Sequence, residues 1–157
     1  MTNILRFVQV FAIGTWVGSI LYFAFVVAQS IFSILGVTDQ AGAIIGHSIA
    51  GLHHLGLVAS ILFLVAAVLL ARSPRALLKP ASLLVILMLL MAGASQHIVI
   101  PRMEALRRQM GSVVNTPHSN PLWVEFDRLH GVSVDLEMAT LLAGLVALYL
   151  TARKEQP

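Results

Sequence analysis

The sequence predicts an all-α integral membrane protein, a four-helix up-down bundle with both termini in the cytoplasm. Three observations point there. Of the 157 residues, 58% are hydrophobic and only 11% are charged, against about 45–50% and about 25% in an ordinary soluble domain. Four apolar runs follow one another along the chain, each close to the roughly 20 residues that cross a bilayer as a helix. The runs lack period-two alternation, and in hydrocarbon only helices or a closed barrel satisfy the backbone. Four spans and their loops use nearly the whole chain, so residues 1–157 are read as one transmembrane domain with no room for a separate catalytic one.

The first span is placed at about 7–28, where Gln9, Thr15 and Ser19 interrupt an otherwise apolar run. Val26-Val27-Ala28 imitates a signal-peptidase site, but the run before it is longer than the 7–15 residues of a signal h-region, and a retained helix is expected. Residues 29–50 can continue as interfacial helix before a second span at about 51–71. A short basic loop, Arg72 to Pro80, leads to a third span at about 81–100, closed by Pro101. In the 101–130 segment, Pro101 to Arg108 reads as an amphipathic turn or two ended by Gly111. Asn120-Pro121 supplies an N-cap followed by Pro at the first helical position. The fourth helix is therefore expected to begin there and to span the bilayer at about 131–152, with Trp123 and Phe126 as headgroup anchors. Gly14-Thr15-Trp16-Val17-Gly18 reads as a close helix-packing site that permits a dimer.

Charge orients the bundle. Arg6, Arg72, Arg75, Lys79, Arg153 and Lys154 fall on one side, opposed by Glu155, a net +5. On the other side Arg102, Arg107, Arg108 and Arg128 cancel Asp39, Glu104, Glu125 and Asp127. The positive-inside rule then places both termini in the cytoplasm of an inner, multi-pass membrane protein. The excess of Lys and Arg forms no basic, aromatic-interleaved face, so no nucleic-acid partner is expected.

Cysteine is absent, which removes disulfides, thiolate metal sites, iron–sulfur clusters and CxxCH haem attachment. There is no HExxH, Walker A or GxGxxG motif. Six histidines remain, and in an up-down bundle five of them gather at one membrane surface. His53 and His54 open the second span, Gln96 and His97 close the third, His130 opens the fourth, and His47 lies seven residues before His54. His130, Ser133 and Glu137 share one helix face. Glu137 lies about 10 Å deeper than His130 at 1.5 Å per residue. An ionisable group at that depth normally faces the bundle interior and is a functional hypothesis by default. Near its depth stand Tyr22 and Met91.

Several blocks resemble the transmembrane protein 205-like family, four-helix membrane proteins without an assigned function. They are Arg6-Phe7-Val8-Gln9-Val10, Phe23 to Ala28, Ile100-Pro101-Arg102-Met103, and Phe126-Asp127-Arg128-Leu129-His130-Gly131-Val132-Ser133. The resemblance implies Pro where this chain has Gln29, and Asn where it has Glu137. By architecture the family is distantly similar to copper-resistance D membrane domains and to haem-linked protoporphyrinogen oxidases. The latter use a histidine on the first helix, and the first helix here has none, so that activity does not carry over.

Together these features lead to an expected site for haem b or copper in redox or metal handling, formed by His54, His97 and His130 facing one another, with His53 and His47 next. Met91 is a further ligand suited to Cu(I), and Glu137, Ser133, Tyr22 and Gln96 form the supporting shell. Two alternatives stand beside it. One is a cofactor-free scaffold in a homo-oligomer or larger membrane complex; the other is a small-solute or ion permease using Glu137 as proton carrier.

Overall fold

The computed structural model describes residues 2–153. Lys154 and Glu155, which enter the charge count, lie outside the described residues, as does the rest of the C-terminal end. Six α-helices run α1 (Thr2–Tyr22), α2 (Ala28–Leu35), α3 (Asp39–Ala71), α4 (Pro80–Ala94), α5 (Ile100–Met110) and α6 (Pro121–Ala152). A π turn, Phe23–Val27, joins α1 to α2, and a second, Ser95–Val99, joins α4 to α5. No strand occurs among the described residues.

The result is four long rods, Thr2–Leu35, Asp39–Ala71, Pro80–Met110 and Pro121–Ala152, each apolar and long enough to cross a membrane. Their 31 to 34 residues correspond to about 46–51 Å at 1.5 Å per residue, more than the ~30 Å hydrocarbon core. Each rod therefore projects well beyond its span. The four form a ring in chain order: α1 packs on α3 and α6, and α4 packs on α3 and α6. Consequently α3 and α6 stand diagonally across the ring.

The boundaries follow from local chemistry. Thr38 Oγ1 accepts the Ala41 N–H at 3.1 Å and starts α3. Asn120 Oδ1 accepts the Leu122 N–H at 2.9 Å ahead of Pro121, the expected start of α6. Gly36 and Gly111, with φ of 66° and 72°, end α2 and α5 in a region that favours glycine. Pro101 was expected to close the third span, yet the helix runs through it to Met110. Proline lacks an N–H and its ring clashes with the carbonyl four residues back. The π turn at Ser95–Val99 widens the helix immediately before Pro101, which lets the ring be accommodated within a continuous rod.

The core is Ala12, Ile13, Trp16, Val17 and Ile20 of α1 against Leu52, Ala59 and Phe63 of α3, Val85, Met88 and Ala92 of α4, and Leu141 and Ala147 of α6. Two glycines permit this closeness. A Cβ on Gly56 would lie 2.6 Å from Trp16 ring atoms, and one on Gly144 would lie 2.6 Å from Val17 Cγ2 and 2.8 Å from the Met88 methyl. Gly14 and Gly18, where close packing was expected, meet nothing within 4 Å. Small residues mark the tight contacts, as expected in a membrane, but on the facing helices.

At the end of the bundle opposite the termini, the projecting turns of α3 and α6 are clasped by the segment after α5. Asp39, outside the apolar span, accepts the Ser112 hydroxyl at 2.5 Å and the Val113 N–H at 2.8 Å. The Ser112 hydrogen bond is the main reason its carboxyl is held below the usual carboxylate range; burial opposes the shift, and the Val113 and Val114 amides and Arg107 assist it. The Arg107 guanidinium lies 5.8 Å from the Phe126 ring centroid, and His118 stacks on Trp123 at 4.1 Å.

The indole against Gly56 leads to a direct expectation. Gly56→Ala should lower stability by about 1–3 kcal/mol through overpacking, visible as a lower unfolding temperature in mild detergent. Gly14→Ala should be neutral or mildly stabilising, since alanine is the better helix former and its methyl meets open space.

Candidate functional site

Hydrophobic surroundings decide which polar side chain on α3 turns inward. Gly56, Ala59, Ser60, Phe63, Ala66 and Ala67 are buried, whereas Leu57, Val58, Ile61, Leu62 and Val65 are exposed on the lipid-facing side. Extending the buried stripe one turn towards the helix start reaches His53, which is 6% exposed. His54, 100° further round the helix, is exposed and its Nδ1–H donates to the Ala50 carbonyl at 2.8 Å.

His53 is bonded through both ring nitrogens. Its Nδ1–H donates to Gln96 Oε1 at 2.9 Å, and its Nε2 lies 2.5 Å from Glu137 Oε1. The three residues come from α3, the second π turn and α6, so the pair bridges the diagonal of the ring and Gln96 braces it from the side. Glu137 is half-buried, its side chain 21% exposed.

The proton count follows from the donors. The Gln96 oxygen only accepts, so Nδ1 carries a hydrogen. A carboxylate facing a bare Nε2 at 2.5 Å would oppose two lone pairs, so one proton lies between His53 and Glu137. Whether it sits on the carboxyl or on the imidazole, the pair is neutral as a whole. That neutrality answers the high cost of an unpaired charge within a membrane. No Lys or Arg in the four spans offers another partner.

The other expected residues are distributed differently. His54, His97 and His130 are all exposed, as is His47. Among the described residues no three His, Asp or Glu side chains form a group that could hold a metal ion. Met91 is half-buried on α4. Tyr22 is 60% exposed and lines a shallow apolar groove with Val26, Val27 and Ser30. Ser133 is buried one turn before Glu137. Gln96, expected in support, does bond the central imidazole. Glu137 shares a helix face with His130, but its bonded partner is His53 across the bundle. Sequence reasoning overlooked Ser95, which is fully buried beside Gln96 with no partner for its hydroxyl.

Four apolar rods around a buried polar layer define a multi-pass integral membrane protein. The chain belongs to the family described as a domain of unknown function (DUF4149), which matches residues 11–112. The match includes His53, Ser95 and Gln96 and ends before α6, which carries Glu137. Comparison with curated proteins and with solved structures finds no match.

His53→Ala strips a partner from two polar groups at once, and leaving a buried donor or acceptor unsatisfied costs about 1–3 kcal/mol. The variant should unfold at a lower temperature, whereas Glu137→Gln, whose amide still reaches His53, should lose less. In the double variant the two effects should be less than additive, because both remove the same bond. Strict additivity in detergent unfolding would show that the pair contributes no coupling.

Proposed function

We propose that this chain is a proton-linked permease for a small solute or ion, with the His53–Glu137 pair as its proton-binding site and the bundle end opposite the termini facing outward. The observation that carries the reading is the bonding of His53 to Glu137 at 2.5 Å, braced by Gln96, within the membrane-spanning part of the bundle. A shared proton there can be taken up or given away by a half-exposed carboxyl that has no competing cation nearby. Protons bound at intramembrane carboxyl and imidazole groups are the usual currency of pumps and transporters.

This reading is preferred to haem b or copper for a reason of bonding. A metal on His53 would have to displace Gln96 or Glu137, and the histidines best suited as ligands by sequence are turned outward on separate helices. It is preferred to the scaffold reading because a helix clamp needs no ionisable pair; a neutral amide pair would hold the helices as well. The positive-inside count supports the orientation. The Ile100-Pro101-Arg102-Met103 and Phe126 to Ser133 blocks support a place close to the transmembrane protein 205-like proteins, within the wider family.

Proteoliposomes carrying a trapped pH-sensitive dye test the reading. With a membrane potential imposed by potassium and valinomycin, the wild-type protein should acidify the lumen faster than empty vesicles, and Glu137→Gln should lower that rate at least tenfold (a loss of about 1.4 kcal/mol or more in rate terms). Equal rates for wild type, Glu137→Gln and empty vesicles would overturn it.

A further inference from the structure

Two buried hydroxyls in this bundle are satisfied along their own helices. Ser60 donates to the Gly56 carbonyl at 2.8 Å and Thr140 to the Leu136 carbonyl at 2.7 Å, each four residues back along its own helix. Ser95 departs from this. It is 0% exposed, and its Oγ has no hydrogen-bond partner. A fully buried hydroxyl left without a partner costs free energy and calls for an explanation such as an ion or water held there.

Its position supplies one. Ser95 continues the buried stripe of α4, Val85, Met88 and Ala92, and precedes Gln96, whose Oε1 is bonded to His53. It also opens a π turn, in which the Ile100 N–H reaches back five residues to the Ser95 carbonyl. Such turns are frequent at functional sites. The antiparallel register puts the layer in common: Met88 on α4 lies against Gly144 on α6, and Gln96 and Glu137 are eight and seven residues further along the two helices towards the same end.

We propose that this layer binds one small alkali cation, with the Glu137 carboxylate, Gln96 Oε1 and Ser95 Oγ as its side-chain ligands. The inference rests on the permease reading above and names the class of ion that the permease takes. All three ligands are hard oxygens, the donor type suited to hard cations rather than to soft Cu(I). The Gln96 oxygen has two lone pairs and can accept from His53 while it ligates. A monovalent ion in place of the shared proton leaves the layer neutral, whereas a divalent ion would leave a net charge in low dielectric. Among the described residues no other buried charge competes at this depth. α1 offers no buried titratable group, and its Tyr22 is exposed; on α3 His54 is exposed; His97 of the π turn is exposed; on α6 Asp135 and His130 are exposed.

The test uses the full-length protein in mild detergent at fixed pH and ionic strength, with choline chloride exchanged for sodium chloride and radioactive 22Na+ as the probe. Wild type should bind 22Na+ saturably, with unlabelled Li+ and K+ as competitors. Ser95→Ala should weaken binding about tenfold yet fold at least as stably as wild type, because it deletes an unpartnered hydroxyl. Ser95→Cys, which exchanges the hard oxygen for a soft sulfur, should weaken Na+ binding likewise, and Glu137→Gln should abolish it. Absence of saturable 22Na+ binding above the choline control, or undiminished binding in both Ser95 variants, would overturn the assignment. If Na+ fails to bind while Glu137→Gln still slows proton flux into vesicles, the cation site falls and the permease reading stands. If Na+ binds as described while proton flux is the same in Glu137→Gln, the cation site stands and its link to the proton falls.

Discussion

A carboxyl group turned into the interior of a membrane bundle needs a partner, and for Glu137 that partner is an imidazole on the opposite helix. The His53–Glu137 bond organises much of what surrounds it. It spans the diagonal of a four-helix ring, a distance two side chains can close only where the helices approach tightly. That approach is provided one layer deeper, where Gly56 admits the Trp16 indole and Gly144 admits Val17 and Met88. Gln96 then fixes the imidazole hydrogen on Nδ1, which leaves Nε2 for the shared proton. Packing, tautomer and charge balance are thus parts of one arrangement.

The π turns belong to the same arrangement. An α-helix continued straight through residues 95–101 would set the Pro101 ring against the carbonyl of His97, four residues back. The extra residue in the turn relieves that contact and also shifts the helix phase, so that Gln96 bonds His53 while His97 is left outside. The exposed end is held separately. Asp39 ties the start of α3 to Ser112 and Val113, and the bundle end that carries the histidines is closed by a clasp independent of the buried pair.

Much of the fold was legible in the sequence. The four apolar runs marked the spans, and Asn120-Pro121 marked the start of α6 to the residue. Glu137 stood out because a carboxyl among apolar residues is expensive. The identity of its partner was not legible by the same route. His53 and His54 are neighbours, and a helix that is apolar nearly all round gives little contrast between its faces. The signal that separates them is residue size: Gly56, Ser60 and Ala67 mark the face that packs, and only His53 lies on its extension. His54, His97 and His130 looked convergent because depth along the membrane is readable from chain position, whereas rotation about each helix axis is not. The π turn at Ser95–Val99 compounds this, since one extra residue changes which side chain points inward, and nothing short of Pro101 announces it.

The central feature of the bundle is one proton lying between His53 and Glu137 while Nδ1 donates to Gln96. Nitrogen-15 NMR of the labelled histidine ring in the detergent-solubilised protein observes both nitrogens separately. The account predicts a protonated Nδ1 whose shift is the same in wild type and Glu137→Gln, and an Nε2 resonance that moves clearly between them. An Nε2 resonance unchanged by Glu137→Gln would contradict it.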